Sequence, residues 1–297
     1  MSAAASLHRF AVAAATAAAA VLMAMLMVLL TTPSALAQDG APPRQALRVC
    51  QDPNNLPFSD DARQGIENRI AEVFGKALNL PVTYYSFPQR LAFVRNTLRY
   101  KLPGQDYPCD IVMGVPAGYD QVSVTKPYYR STYALVLAPG KGLEQVKTGE
   151  DFLRLPASTL HSLRIGIYDR SPASDWLVKH RLVDQGVPYP MMNADPAQYP
   201  GQIIERDLST GKIDAAIVWG PIAGYYAQRV KNVALTVVPL KSEPGVRFDY
   251  AMAMGVRYGE REWKQQVEGL LESQRAEILA ILREYGVPLL DETVGAR

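Results

Sequence analysis

The sequence predicts an α/β protein of two lobes with a cleft between them, and three observations carry that expectation. The first half orders strands and helices as β-α-β-α-β, the order that builds a parallel sheet. The second half repeats the logic and ends in a strand and turn at Asp214 to Pro221, resembling in design the one that opens at Asp110. Two strand-like runs, Tyr133 to Leu137 and Tyr250 to Val256, echo each other and read as paired strands crossing between the lobes.

At the N-terminus, His8 and Arg9 precede an apolar tract from Ala11 to Leu30, and Ala35-Leu36-Ala37 supplies an A-x-A cleavage site. The tract is about long enough to span a bilayer, so an uncleaved anchor is the alternative. The small-residue site and the polar, proline-containing stretch after it favour a cleaved signal peptide at 1–37. No later segment is apolar enough to span a membrane. The expected mature chain is therefore exported to the periplasm. A formal charge of +2 without a run of like charges gives no sign of a nucleic-acid binder, which would carry a basic stripe with interleaved aromatics. No metal-type cluster of His, Cys or carboxylates occurs, and no cofactor is implied.

Leu47 to Cys50 is a short strand that breaks into Asp52-Pro53-Asn54-Asn55, an irregular loop at a strand's carboxyl end, where open α/β sheets bind ligands. Asp52, Asn54 and Asn55 are candidate contacts; an Asx-type turn capping its own backbone explains them equally well. Ile66, Ile70, Phe74, Ala77 and Leu78 recur at helical spacing until Pro81. Val82 to Phe87 is the second strand, and Gln89 to Tyr100 reads as a helix. Asp110-Ile111-Val112-Met113 opens a buried strand that leaves in the turn-rich Gly114, Pro116 and Gly118, whose backbone N–H groups are candidates for the cleft.

The second lobe begins with the strand Leu163 to Tyr168. Ser171 and Ser174 flank a helix start whose free N–H groups suit an anion or a carbonyl. Gly186-Val187-Pro188 and Gly286-Val287-Pro288 read as helix stops. Asp195 to Leu208 reads as helical, and a last helix from Glu260 to Tyr285 returns to the first lobe. The expected division is 38–133 and 253–297 for lobe one, with 134–252 as lobe two between them.

Arg90, Arg95 and Arg130 are candidate cleft cations for an anionic ligand, against a reading as solvated surface arginines. Tyr128 and Tyr129 are expected to divide, one under the hinge and one facing the cleft. Trp219 is the sharpest candidate, a large aromatic at a strand end suited to stacking on a flat or apolar partner. Cys50 and Cys109, the two cysteines of an exported chain, point to a disulfide. If their strands are parallel neighbours, however, the two lie several residues out of register and beyond disulfide reach. The sequence leaves both readings open.

The order of elements resembles the type II periplasmic binding proteins. The resemblance rests on Leu56-Pro57-Phe58 after the first strand, Gly65-Ile66-Glu67 opening the first helix, Pro127-Tyr128-Tyr129 before the crossover, and Asp214-Ala215-Ala216-Ile217-Val218 in lobe two. It implies two α/β lobes joined by two crossover strands. Amino-acid binders of that class carry an arginine before the Pro-Tyr-Tyr element and an aspartate after the lobe-two strand. This chain has no arginine between Asp110 and Tyr129, Lys126 offers a point charge but no fork, and Trp219 stands at the aspartate's position. An ordinary amino-acid ligand is therefore not expected.

The strings RVCQDPNNLPFS, FVRNTL, CDIVMGVPAGYD, KPYYRSTY and DAAIVWGPIAGYYA resemble the quinoprotein-dehydrogenase-associated solute-binding proteins of the MoxJ/XoxJ type, found in methylotrophs. That resemblance implies a non-catalytic periplasmic protein working alongside a PQQ-dependent methanol or alcohol dehydrogenase and its cytochrome c. A transport receptor for a small organic metabolite is the alternative. A dehydratase-like enzyme is a third reading, with Asp52 and Asp120 as its evident acid/base candidates.

Overall fold

In the computed structural model the described residues are 44–89, 92–191, 195 and 197–291. The leader expected at 1–37 and the candidate Arg90 lie outside them. Strand β1 (Leu47–Gln51) is buried almost throughout and leads through the two-residue strands β2 (Asn54–Asn55) and β3 (Ser59–Asp60) into helix α1 (Ile66–Leu78). Gly65 is obligatory at that entry, since a Cβ there would lie 2.0 Å from the carbonyl oxygen of Phe58. The Asn68 amide oxygen accepts from the Gly65 N–H at 3.1 Å, and Asn79 closes the helix at φ 53°. Ile66, Ile70, Ala71 and Phe74 form its buried face.

Strand β4 (Val82–Ser86), helix α2 (Phe93–Asn96) and strand β5 (Ile111–Pro116) complete the first unit, with β4 and β5 both parallel to β1. The helix expected over 89–100 is cut to a single turn. Its exit is pulled out of helical geometry: Thr97 Oγ1 donates back to the Phe93 carbonyl at 2.8 Å, and the Arg257 guanidinium takes the Leu98 carbonyl at 3.1 Å.

Strands β6 (Ser123–Val124) and β7 (Tyr129–Leu137) follow, then helices α3 (Gly149–Leu153) and α4 (Ala157–His161), strand β8 (Ile165–Tyr168), helix α5 (Pro172–Lys179) and strand β9 (Gly186–Tyr189). Gly186-Val187-Pro188 is thus not a helix stop. Helix α5 ends before it, and residues 186–189 pair in parallel with β8. In place of the helix expected over 195–208, only Ile203–Leu208 is coiled, as a wide π-type turn. Strand β10 (Ala215–Trp219), helix α6 (Gly220–Arg229), strand β11 (Thr236–Pro239), strand β12 (Asp249–Val256) and helices α7 (Arg261–Ser273) and α8 (Arg275–Glu284) finish the chain, the last pair being one expected helix broken at Gln274.

The strands run β4-β1-β5-β12-β7-β10-β8-β9, and β7 changes partners midway. Tyr129 to Thr132 pair with β12, whereas Tyr133 to Leu137 pair with β10 on one side and Ala134 to Leu137 with β11 on the other. Antiparallel β7 and β12 are therefore the crossover that joins two α/β lobes. Helices α7 and α8 return to the first lobe: Trp263 Nε1 donates to the Asp110 carbonyl at 3.1 Å, and Tyr285 donates to that of Gln64 at 2.5 Å.

At the head of β5 the Asp110 carboxylate is fully buried among Arg44, Arg48 and Arg257, with N···O distances of 2.9, 2.7 and 2.6 Å. Burial alone would raise its pKa. The hydrogen bonds from Arg48 and Arg257, with the charge of Arg44, hold it below the ordinary carboxylate range instead.

Cys50 and Cys109 are bridged, with Cα atoms 5.2 Å apart. The register objection fails because β1–β5 pairing is confined to Val49–Ile111 and Cys50–Val112. Residue 109 lies ahead of the ladder and folds over Cys50 into an apolar cluster with Phe93, Val94, Leu98 and Val112.

Candidate functional site

Three adjacent parallel strands of the second lobe end in an aromatic residue: Tyr168 closes β8, Tyr189 closes β9 and Trp219 closes β10. Carboxyl ends of parallel strands are where a ligand reaches an α/β sheet. Together with Tyr133 on the crossover strand and Tyr199 on the loop before the π-turn, these rings line a cleft of about 260 Å³. All five are half-buried, packed from behind and open toward the cleft. Trp219 meets Tyr133 edge-on at 5.6 Å and Tyr250 at 5.8 Å, and Tyr168 meets Tyr189 at 6.4 Å.

Three phenols are anchored by hydrogen bonds within the second lobe. Tyr168 donates to the Pro200 carbonyl at 2.6 Å, Tyr189 to Asp207 Oδ2 at 2.5 Å, and Tyr199 to Glu205 Oε2 at 2.6 Å. Burial pushes the Tyr133 hydroxyl up to about 12, and burial with the Glu205 bond does the same for Tyr199. The rings are therefore neutral at any physiological pH.

The facing wall comes from the first lobe: Asp52, Asn54, Asn55 and Gln89. The Asp52 carboxylate caps its own loop, Oδ1 accepting from the Asn54 N–H at 2.8 Å and Oδ2 from the Gln89 N–H. Asn55 Nδ2 donates to Gln89 Oε1 at 2.5 Å. The Asx-turn and the cleft-lining readings of this loop therefore hold together. Among the described lining residues Asp52 is the only one with an ionisable acid or base other than tyrosine, and none is Lys, Arg or His.

Of the candidates named from sequence, Asp52, Asn54, Asn55 and Trp219 come together here. Of the rest, Arg90 lies outside the described residues, and the structure places the others elsewhere. Gly114 is spent on the Glu67 carboxyl, whose Oε1 would sit 2.4 Å from a Cβ at 114. Pro116 pairs with Met252 as the last residue of β5, and Gly118, at φ 88°, turns in open space. Tyr128 is core, donating to the Met113 carbonyl at 2.9 Å, and Tyr129 is buried beside it. Arg130 is ion-paired to Asp249 across the two crossover strands, so it works on the hinge. Ser171 is buried with its hydroxyl on the Tyr168 carbonyl at 2.6 Å, and the Ser174 N–H donates to Ser171; both belong to the start of α5. Arg95, Lys126 and Asp120 are exposed and do not line the cleft.

The sequence reading missed Tyr133, Tyr168, Tyr189, Tyr199 and the amides Gln89, Gln198 and Gln202. One signal was available: an aromatic as the last residue of successive parallel strands. Among the described residues no group of His, Cys, Asp or Glu is placed to hold a metal ion, and no helix is long and apolar enough to cross a membrane.

Two α/β lobes, a pair of antiparallel crossover strands and a cleft between them define a type II periplasmic binding protein. No family profile matches the chain. It is 29% identical over 269 residues to protein MoxJ of Methylorubrum extorquens, covering 86% of both chains, and 26% identical to protein MoxJ of Paracoccus denitrificans, covering 86% of this chain and 93% of that one. The crystal structure of periplasmic binding protein XoxJ from Methylobacterium extorquens AM1 superposes with a TM-score of 0.66 at 36% identity, over 83% of this chain and all of that one. MxaJ from Methlophaga aminisulfidivorans MPT gives 0.68 at 24% identity, over 82% of this chain and all of that one. The chain belongs to the MoxJ/XoxJ family of periplasmic binding proteins.

Proposed function

We propose that this protein acts in the periplasm as a non-catalytic accessory factor, in maturation or activation, for a PQQ-dependent methanol or alcohol dehydrogenase that passes electrons to a cytochrome c. The observation that carries the reading is the make-up of the cleft. A free amino acid needs a fork for its carboxylate and an acid for its ammonium group. The described lining residues offer the acid, Asp52, and no fork. Five aromatic rings instead suit an apolar or aromatic group, whether a small molecule or a side chain of the dehydrogenase.

A catalytic role finds little support, because both oxygens of Asp52 already accept backbone N–H groups and no second acid or base faces it among the described lining residues. We divide the lobes at 38–133 with 253–297, and 134–252; the change of hydrogen-bond partner between Thr132 and Tyr133 supports the first boundary. The exported location rests on the leader at 1–37 and on the family.

A second reading, a transport receptor for a small organic metabolite, is favoured by the preformed, side-chain-sized volume of the cleft. Native mass spectrometry on protein recovered gently from its own periplasm separates the two. A complex with a quinoprotein dehydrogenase and no small adduct supports the accessory role. A lone monomer carrying an organic adduct moves the assignment to the receptor.

A further inference from the structure

We infer that the cleft is a site for an organic cation, a quaternary or alkylated ammonium or a guanidinium, held by the rings of Tyr133, Tyr168, Tyr189, Tyr199 and Trp219 with the Asp52 carboxylate as counter-charge. The inference rests on the cleft being the binding site and names the chemistry it takes.

The charge balance comes first. The Asp52 carboxyl faces a half-enclosed site, its oxygens accepting the backbone N–H groups of Asn54 and Gln89, and no Lys, Arg or His stands among the described lining residues. A carboxylate at the wall repels an anionic guest and attracts a cationic one.

The rings supply the second argument. Aromatic faces attract cations, most strongly where water is displaced. Tyr133 with Trp219, inclined at 61°, and Tyr168 with Tyr189, inclined at 66°, make two aromatic corners, so rings meet a central guest from several directions. The hydroxyls of Tyr189 and Tyr199 donate to the carboxylates of Asp207 and Glu205. Those bonds fix the rings and push electron density into them, which strengthens the attraction. A volume of about 260 Å³ fits an alkylammonium or guanidinium head and lies below the roughly 300–1,000 Å³ of drug-sized pockets.

The test uses the mature full-length protein and three probes followed by calorimetry: choline, its neutral isostere 3,3-dimethylbutanol, and N-acetyl-arginine amide. Choline or the arginine derivative should bind about tenfold or more tightly than the neutral isostere, the margin a desolvated cation–π site provides. Asp52→Asn should erase most of that margin, and the isostere comparison stands even if the variant folds poorly. Binding of choline points to a free metabolite. Binding of the arginine derivative alone points to a side chain of a partner protein. Equal affinity for the isostere, or no binding of either cation, overturns the inference. Dehydrogenase association measured on the same preparation keeps the two readings apart: a complex without cation binding overturns this inference alone, and cation binding without a complex overturns the accessory role alone.

Discussion

Trp219 stands directly opposite Tyr133 in the antiparallel pairing of β10 and β7, and their rings meet edge-on at 5.6 Å. The contact ties the last residue of a lobe-two strand to the residue at which the crossover strand exchanges one sheet for the other. Cross-strand neighbours are the closest side chains a sheet provides, so register alone sets this aromatic corner at the cleft.

Replacing Trp219 by alanine should therefore disable the cleft while leaving the fold intact. The ring is half-buried, so the stability cost is about 1–2 kcal/mol. Dehydrogenase activation, or affinity for whatever occupies the cleft, should fall at least about tenfold, the size of one lost aromatic contact with a desolvated guest. Unchanged activation and binding in a folded Trp219→Ala protein would show that the cleft is elsewhere.

How much of this was legible in the chain depends on what each residue type announces. The β-α-β-α-β order and the paired crossover strands followed from apolar periodicity, a property of single segments. The loop at Asp52 and the tryptophan at 219 announced themselves by being odd for their positions. Tyr168 and Tyr189 did not, because one tyrosine at a strand end is ordinary and its meaning appears only when parallel pairing sets the strand ends side by side. Arg130 failed for the converse reason. Its partner Asp249 is far off in sequence and adjacent only through the pairing of β7 with β12. Gly114 likewise looked like a ligand loop and proved to be space for a carboxyl.

The Cys50–Cys109 bridge joins residues 59 positions apart and closes a loop that holds α1, β4 and α2. On the chain-entropy account a cross-link of that span stabilises by about 4 kcal/mol. The Cys50→Ser/Cys109→Ser protein should unfold at a lower urea concentration than the parent, and reductant should shift the parent by the same amount. If reductant leaves the parent's midpoint unmoved, the bridge is absent from the exported protein.

Asp110 is the single carboxylate that Arg44, Arg48 and Arg257 share. Asp110→Asn takes from the buried Arg257 one of its two carboxylates, with Glu260 still on Nε at 2.7 Å, so the loss should fall below the about 3–5 kcal/mol of a buried charge stripped of every partner. Because the folded pKa of Asp110 is depressed, its contribution is complete above the unfolded value near 4 and is lost as pH falls through the folded value. The difference in urea midpoint between parent and variant should be constant from pH 5 to 8 and shrink below about pH 4. A difference that grows in acid would contradict the assignment.

Glu67 should give the opposite pH signature. Its carboxyl lies over Gly114, and burial followed by the negative charge of Asp52 pushes its pKa from an ordinary 4.5 up to about 7. The folded chain therefore holds a proton that the unfolded chain has released throughout the interval between those two values. Bound protons in the folded state exceed those in the unfolded state there, so stability falls as pH rises from about 4.5 to 7 and stays at the lower level above. Allowing for the side chain's partial exposure, the drop is about 1–2 kcal/mol. Glu67→Gln keeps the shape of the protonated acid and cannot ionise. The variant should match the parent near pH 4.5, exceed it by that margin at pH 8, and show a flatter profile in thermal or urea unfolding between them. Parallel profiles for the two proteins would mean that Glu67 ionises as freely in the fold as in water.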